Sequence, residues 1–447
     1  MGNKKYMIIV SLIGALGGLL FGYDTAVISG AIGFLETKFS LTPIMSGWAV
    51  SSAIWGCILG VAIAGYVSDR IGRKKTLILT ALFFAVSALG SAMAGSFTVF
   101  VVYRIVGGVA VGAASMLSPL YISELAPAKQ RGMLVSLYQL AIVLGINIVY
   151  FVNLKVAGMG TETWNVETGW RYMLGSEVIP AALFFLAMFF VPESPRWLTN
   201  KGKDDEALAI LEKVNGQAEA KIVHGEIKAV LGEEKGKLSD LFAPGLRTAM
   251  IIGVVLALFC QISGINAIMY YAPEILKNAG FGTDSALMQT VMIGVINTLF
   301  TFIAIGFIDK VGRRTLLLWG ITGMAICLGA VGLLYYMEMT QGYLLLVLLC
   351  GFVGCFAISL GPIPWVLISE IFPTKNRGVA MSLAIMVLWG GVILITQFTP
   401  VLFAGIGEAF TFWLFMINAI IVLIFTYKMI PETKGKSLEE IERSWRK

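Results

Sequence analysis

Long apolar runs, each about the length of a membrane-crossing helix, dominate the chain. The hydrocarbon core of a bilayer is about 30 Å thick and needs roughly 20 helical residues to cross it. Charged and turn-forming residues separate the runs. The pattern predicts an all-α membrane protein with twelve transmembrane helices, over about residues 7–34, 44–67, 75–95, 97–121, 132–155, 171–191, 248–277, 286–308, 315–337, 342–369, 378–403 and 409–430.

A polar segment, residues 193–246, divides these runs six and six. Asp204 or Asp205 is expected to cap a surface helix in this segment, and Asn215 with Gly216 is expected to end it. The apolar residues of that helix recur at i, i+3, i+4 and i+7, which is helical spacing: Ala207, Ile210, Leu211 and Val214.

Two of the predicted membrane helices are interrupted. Gly361, Pro362 and Pro364 interrupt the tenth, and Gly264 with Pro273 interrupts the seventh. Broken helices free backbone groups and provide bends where a gate can move.

The composition agrees with a membrane protein, because 57% of the 447 residues are hydrophobic and only 13% are charged. Soluble domains carry about 25% charged residues. The pI of 8.9 does not indicate a nucleic-acid partner, since the basic residues occupy short loops between apolar runs. Five cysteines lie in apolar segments without a CxxC pair, which favours packing over disulfide or metal chemistry.

Lysine and arginine are distributed unequally between the two predicted sides of the membrane. With both termini inside, the inner loops receive 28 of the 33 Lys and Arg residues. The positive-inside rule therefore predicts a multi-pass protein of the plasma membrane with cytoplasmic termini. The short tails favour a bacterial protein.

The two halves share motifs at matching positions. A repeat of this kind predicts two pseudo-symmetric six-helix bundles with a substrate site between them. The recurring motifs are GYVSDRIGRKK (65–75) with GFIDKVGRR (306–314), SELAPAKQRG (123–132) with SEIFPTKNRG (369–378), and PESPR (192–196) with PETKG (431–435). The predicted domains are an N-terminal bundle, a cytoplasmic linker with short helices, a C-terminal bundle and a cytoplasmic tail, over residues 1–192, 193–246, 247–431 and 432–447.

Three predicted membrane helices carry a charge, at Asp24, Arg104 and Glu177. Each such charge costs about 2.5–3.5 kcal/mol on insertion scales. Helix rise places all three at comparable depth in the outer half of the core, which predicts one cluster. Two ionised carboxylates around one arginine have a net negative charge, which is buried. Binding of one proton to either carboxylate removes it. The one histidine, His224, lies in the polar segment, so a proton relay must use carboxylates. The alternative is a static Asp24–Arg104 ion pair.

Nine motifs, in order along the chain, resemble those of the sugar porter family of the major facilitator superfamily. They are GGLLFGYDTAVISG, DRIGRKK, YRIVGGVAVG, YISELAPAKQRG, PESPRW, QISGINAIMYYAP, DKVGRR, GPIPWVLISEIFPTKNRG and PETKG. The resemblance implies the major facilitator fold, and it extends to bacterial proton-coupled symporters of the xylose and glucose type. Proton-coupled members carry an acid at the position of Asp24, where several uniporters have asparagine. Some xylose-type symporters also have the acid that matches Glu177.

The repeated inner motifs combine a glycine, an acid at a helix end and a basic cluster. In members of this family such acid–base pairs latch the inner side of the outward-facing state. Exposed pairs contribute about 0–1 kcal/mol each, so a latch of several can break on every cycle. The alternative is plain positive-inside anchoring. The predicted gating residues are Asp69, Arg73, Glu124 and Arg131 in the first half and Asp309, Arg313, Glu370 and Arg377 in the second.

A neutral polyhydroxylated ligand needs amides and aromatic faces rather than ion pairs. A single amide can instead join two helices, which contributes about 0.6 kcal/mol. Three positions depart from the patterns of relatives. Relatives have glutamine where this chain has Cys260 and Ile146, and asparagine where it has Val392. These departures leave the identity of the sugar open. The resemblance implies substrate contacts at Phe21, Gln139, Gln261, Asn266, Tyr270, Asn297, Trp365 and Trp389.

The sequence is interpreted as a symporter that imports a monosaccharide, a pentose or a hexose, with a proton by alternating access. The proton is the coupling ion, no cofactor or metal is expected, and the functional unit in the lipid bilayer is a monomer. Two alternatives stay open, a facilitative sugar uniporter and a proton-coupled transporter of a polyol such as inositol. A sugar receptor with a long signalling tail is disfavoured. No nucleotide motif or nucleophile–base arrangement indicates an enzyme.

Overall fold

The computed structural model describes residues 4–127, 130–230, 242, 246–372 and 374–434. Inside these ranges, side chains are outside the description at residues 4, 131, 132, 230, 305, 309, 369, 370, 374–378 and 382.

The described backbone is helical, and no strand occurs in these ranges. The helices before the polar segment are α1 (Lys4–Phe39), α2 (Pro43–Ile71), α3 (Arg73–Ala92), α4 (Phe97–Leu125), α5 (Arg131–Ala157), α6 (Glu162–Trp164), α7 (Trp170–Gly175) and α8 (Val178–Ala187). The polar segment forms α9 (Pro195–Asn200), α10 (Asp204–Asn215) and α11 (Gln217–Val230). After it come α12 (Arg247–Ile262), α13 (Ile265–Asn278), α14 (Thr283–Val311), α15 (Arg313–Tyr336), α16 (Tyr343–Ile358), α17 (Ile363–Ile371) and α18 (Thr374–Met429).

Eleven helical spans of the described chain are long and apolar enough to cross a membrane. The last of them, residues 379–429, consists of two helices, because Gly407 inside α18 has a φ of 83°. The described spans therefore supply twelve crossings, and the predicted all-α membrane fold is confirmed. The seventh span is broken at Gly264 between α12 and α13, and the tenth at Gly361 and Pro362 between α16 and α17, as predicted. The predicted interruption at Pro273 is wrong, because this proline lies inside α13.

Large apolar side chains stand exposed along these spans, among them Phe190, Trp319 and Tyr343. A soluble domain buries such groups, whereas a membrane helix presents them to lipid tails that are equally apolar. The outward faces of the helices are therefore suited to a bilayer.

The chain separates into two compact units. The first consists of residues 1–40 and 52–233, and the second of residues 41–51 and 234–447. The linker helices α10 and α11 belong to the first unit.

In the linker, α10 ends at Asn215 and Gly216 follows with a φ of 87°, which confirms the predicted end of this helix. The predicted cap is wrong, because Lys203 occupies the capping position and no side chain caps the helix there. The Asp204 carboxylate instead contacts two residues of α11. It lies 3.0 Å from His224 Nε2 and 2.7 Å from Lys228 Nζ. An apolar cluster of Leu211, Ala220, Ile227, Leu208 and Val223 packs the two helices together.

In the first unit, α1 packs against α5 at backbone distance. A Cβ atom on Gly22 would lie 2.0 Å from the carbonyl oxygen of Ile142, and one on Gly145 would lie 2.1 Å from that of Leu19. Only glycine permits this approach. It fixes α1, which carries Asp24, against its neighbour.

Candidate functional site

Asp24 of α1 and Arg104 of α4 form a buried ion pair. Arg104 Nη1 donates to Asp24 Oδ1 at 2.7 Å, and Arg104 Nη2 donates to the Asp24 carbonyl oxygen at 3.3 Å. Asp24 is 0% exposed and Arg104 is 2% exposed. The helices meet closely here, since a Cβ on Gly107 of α4 would lie 3.3 Å from Asp24 Oδ1. Each charge of the pair therefore offsets the desolvation of the other.

Glu177 reaches the pair from the interruption between α7 and α8. It is 2% exposed and interacts electrostatically with Asp24 and Arg104. The hydroxyls of Tyr23 and Ser176, the residues before Asp24 and Glu177, are 2.8 Å apart and tie α1 to the interruption. The structure thus brings together the three charges that depth along the helices had placed in one cluster.

Two buried carboxylate oxygens in this cluster lack a donor. Asp24 Oδ2 and Glu177 Oε1 have no hydrogen-bond partner in the part of the chain that the structure describes. An ionised carboxylate only accepts hydrogen bonds, whereas a protonated one also donates. A proton on either group therefore supplies a donor and removes the net negative charge of the three residues. This arrangement is suited to the reversible binding of one proton.

The predicted substrate residues of the first unit lie on the closely packed pair α1 and α5. Phe21, one turn before Asp24, is half-buried, and Gln139 on α5 is exposed. Ile146, two turns further along α5, is half-buried. Their role in binding stays a prediction.

In the second unit, two predicted substrate amides meet at the break between α12 and α13. Asn266 Nδ2 donates to Gln261 Oε1 at 2.6 Å. The chain turns between them at Gly264, which has a φ of 94°, and a Cβ there would lie 2.7 Å from the Phe415 ring. The turn orients both amides, and each keeps further hydrogen-bonding groups for a ligand.

The other predicted substrate residues of this unit differ in exposure. Tyr270 and Trp389 are 6% and 7% exposed, Trp365 is 40% exposed, and Asn297 is half-buried. Trp365 lies on α17, directly after the break in the tenth span. Their contacts with a substrate stay a prediction.

Cys260, one of the departures from the patterns of relatives, joins the two helix breaks. Its thiol is buried and donates to the carbonyl oxygen of Leu360 at 3.0 Å. Leu360 lies between α16 and α17. A backbone group freed by one break is thus satisfied by a side chain of the other broken span, as buried backbone groups require. Val392 is also buried.

At the predicted gate of the first half, Arg73 contacts two acids. Its Nε and Nη2 donate to the two oxygens of Glu124 at 3.1 and 3.3 Å, and its Nη1 donates to Asp69 at 2.9 Å. The expectation of exposed, weak pairs is wrong for Arg73 and Glu124, whose side chains are 9% and 3% exposed. Their burial follows from α9, whose Ser194 hydroxyl donates to Glu124 and whose Trp197 indole donates to the Asp69 carbonyl oxygen.

The acid of each PES or PET motif has a role that the sequence did not suggest. Glu193 Oε1 accepts from the backbone N–H groups of Arg73, Lys74 and Ser194 at 2.9, 3.1 and 2.8 Å. In the second half, Glu432 accepts from those of Arg313 and Arg314 at 3.0 and 3.1 Å. Each acid thereby accepts hydrogen bonds from backbone N–H groups in the first turn of a membrane helix. The only available signal was the recurrence of an acid after proline in both halves.

Arg313 also donates from Nη1 to the carbonyl oxygen of Ile308 at 3.3 Å. The remaining predicted gating side chains, Arg131, Asp309, Glu370 and Arg377, lie outside the described part of the structure.

Twelve membrane-crossing helices in two halves with repeated motifs, and a charge cluster buried in one half, define a secondary transporter. The comparison with known proteins names the family. Residues 10–445 match the family described as "Sugar (and other) transporter". The chain belongs to this sugar transporter family, as its motifs indicated, and its family is one of transporters rather than enzymes.

Individual relatives span nearly the full length of the chain. It is 48% identical to an arabinose-proton symporter of Bacillus subtilis (strain 168), over 99% of this chain and 96% of that protein. It is 42% identical to a D-xylose-proton symporter of Escherichia coli (strain K12), with the same coverage. The xylose transporter XylE from E. coli, in an inward open conformation, matches with a TM-score of 0.89 at 40% identity, over 98% of this chain and 100% of that one.

Proposed function

We propose that this protein imports a monosaccharide together with a proton by alternating access. The observation that carries the proposal is the cluster of Asp24, Glu177 and Arg104, with two buried carboxylate oxygens that lack a donor. Relatives named as arabinose-proton and D-xylose-proton symporters, similar over 99% of the chain, support it. The proton is the coupling ion, and no cofactor is needed.

Proton binding at the cluster neutralises its net charge and favours the state that takes up sugar. Release of the proton inside restores the charge and favours the return of the empty carrier. The membrane potential contributes about 2.3 kcal/mol per charge per 100 mV. One proton therefore supports roughly fifty-fold accumulation of sugar per 100 mV.

We assign sugar binding to amides and aromatic rings. Gln261 and Asn266, which meet at a helix break, bond the hydroxyl groups of the sugar together with Gln139 and Asn297. Trp365 supplies an aromatic face. Phe21, Tyr270 and Trp389 complete the set, and the substrate is a pentose or a hexose.

The acid–base groups at the inner helix ends act as gates, Arg73 with Asp69 and Glu124 in the first half and Arg313 in the second. The same role is proposed for Arg131, Asp309, Glu370 and Arg377. The protein acts as a monomer in the plasma membrane of a bacterium, with both termini in the cytoplasm.

Uptake by proteoliposomes tests the coupling. With an imposed pH gradient, acidic outside, the purified protein is expected to accumulate D-xylose, L-arabinose or D-glucose above equilibrium. Asp24→Asn is expected to abolish this accumulation while equilibrium exchange of sugar continues. If the gradient drives no accumulation of any sugar by the native chain, the protein is a uniporter. Accumulation of myo-inositol alone would assign it to polyols.

A further inference from the structure

Four buried hydroxyls of the first unit have no hydrogen-bond partner among the described residues, those of Ser11, Ser91, Ser118 and Tyr138. Ser91 lies at the C-terminal end of α3, and the other three lie along α1. Other buried hydroxyls nearby bond to a carbonyl of their own helix, as that of Ser29 on α1 does to Ala26 at 2.9 Å. The hydroxyls of Ser11, Ser118 and Tyr138 do not.

The three hydroxyl residues lie along α1. A Cβ on Gly17 would lie 2.1 Å from Ser118 Oγ, and one on Gly18 would lie 2.8 Å from Tyr138 Cδ2. Ser118 of α4 and Tyr138 of α5 therefore flank α1 at the same level, about 10 Å of helix rise from Asp24. Ser11, on α1 itself, is about 9 Å further toward the first residue of the helix.

One buried thiol interacts electrostatically with both the cluster and Tyr138. Cys57 of α2 interacts electrostatically with both Asp24 and Arg104, and Tyr138 interacts with Cys57. At the other end, Lys5 in the first turn of α1 is exposed. Lys5 precedes Ser11 by about 9 Å of helix rise.

A buried hydroxyl left without a partner costs about 1–3 kcal/mol. Native proteins avoid this by placing ordered water against such groups, and each buried water bonds to about three of them. A hydroxyl both donates and accepts. A chain of hydroxyls and waters can therefore pass a proton along while no member of the chain keeps a charge.

We propose that Tyr138, Ser118 and Ser11 mark a proton route of bound water along α1, from the Asp24–Glu177 pair to the N-terminal end of the helix. In each passage, the O–H bond of the protonated carboxyl breaks and the nearest water or hydroxyl takes that proton. Each member then gives its own proton to the next, and one proton leaves at the end of α1. The inference rests on the proposed function and assigns the proton a path through the first bundle.

Tyr138→Phe and Ser118→Ala test the route, because each removes one hydroxyl and little volume. In proteoliposomes with a pH-sensitive dye inside, both variants are expected to slow sugar-coupled acidification several-fold. Equilibrium exchange of sugar, which requires no net proton movement, is expected to stay at the native rate. Ser115→Ala, one turn from Ser118 on α4, is the matched control and is expected to leave both rates unchanged.

Thermal unfolding separates this role from a structural one. Because the Tyr138 hydroxyl bonds to no other described residue, Tyr138→Phe removes no contact between helices, and its Tm is expected to stay close to that of the native chain. Native acidification rates in both variants would overturn the route, as would an equal fall of acidification and exchange. Absence of coupled acidification in the native chain itself would instead contradict the proposed function, and the route with it.

Discussion

Glu193 and Arg73 are joined by a hydrogen bond from the Arg73 backbone N–H to Glu193 Oε1 at 2.9 Å. Arg73 opens α3, and its guanidinium is bound at the same time by Glu124. Arg73 thus takes part in two contacts. Its backbone N–H is bound at the start of the helix, and its side chain belongs to a buried ion pair. An acid at a helix N-terminus also interacts favourably with the helix dipole. The N-terminal end of α3 is therefore held by two different acids.

Loss of the Glu193 carboxylate should destabilise the first unit. Glu193→Ala leaves the amides of Arg73, Lys74 and Ser194 without their acceptor, and loss of a helix cap costs about 0.5–2 kcal/mol. A lower Tm in detergent is expected, with a smaller fall for Glu193→Gln, which keeps an oxygen acceptor. Glu206→Ala, at an exposed acid of α10, is the control. Equal Tm values for Glu193→Ala and Glu206→Ala would show that the cap contributes nothing.

Removal of Arg104 should be more destabilising than removal of the Asp24 charge. Arg104→Ala leaves two buried carboxyl groups without a cation, and breaking a buried pair costs about 3–5 kcal/mol. Asp24→Asn leaves Glu177 to balance Arg104, so its Tm should fall less. A Tm for Asp24→Asn as low as that for Arg104→Ala would contradict the sharing of Arg104 by two acids.

The linker helices should separate in acid. The hydrogen bond from Lys228, and then that from His224, hold the pKa of Asp204 below its ordinary value of 3.8. Because the folded pKa is the lower one, the contribution of Asp204 is present above pH 3.8 and is lost as the pH falls through the folded pKa. Hydrogen exchange of α10 and α11, corrected for intrinsic rates, should therefore accelerate as the pH falls from 4 to 2.

Asp204→Asn is expected to give fast exchange in these helices at both pH values. Glu206→Gln, which alters the neighbouring Lys203 pair in the same turn, serves as the control and should keep the pH dependence. Slow exchange at pH 2 in the native chain would mean that the apolar cluster alone holds the two helices.

The charge cluster could be predicted because helix rise converts residue counts into depth. Asp24, Arg104 and Glu177 lie on separate membrane spans at similar predicted depth, and buried charges require partners. The Tyr23–Ser176 contact could not be predicted, since it depends on the interruption between α7 and α8. Periodicity gives no sign of where a long apolar helix bends.

The predicted gate of the first half shows a second limit of sequence reasoning. Arg73 and Glu124 are visible as a charge pattern, but their burial depends on α9, a short helix in a polar segment. The partners of Glu193 are backbone amides, which have no sequence signature. Tertiary packing, rather than residue type, decided whether the Arg73–Glu124 pair was exposed or buried.

Substitution of Gly264 should disturb sugar binding at the helix break. Alanine there meets two obstacles, a φ of 94° that costs a non-glycine residue about 1–3 kcal/mol and a Cβ position 2.7 Å from the Phe415 ring. Gly264→Ala is therefore expected to lower the Tm and, by displacing Asn266 from Gln261, to raise the Kd for sugar measured by tryptophan fluorescence. Gly390→Ala is the matched control in the same unit, because no atom lies within 4 Å of its Cβ position. A native Kd in Gly264→Ala despite a lowered Tm would show that the break supports the fold without orienting the amides.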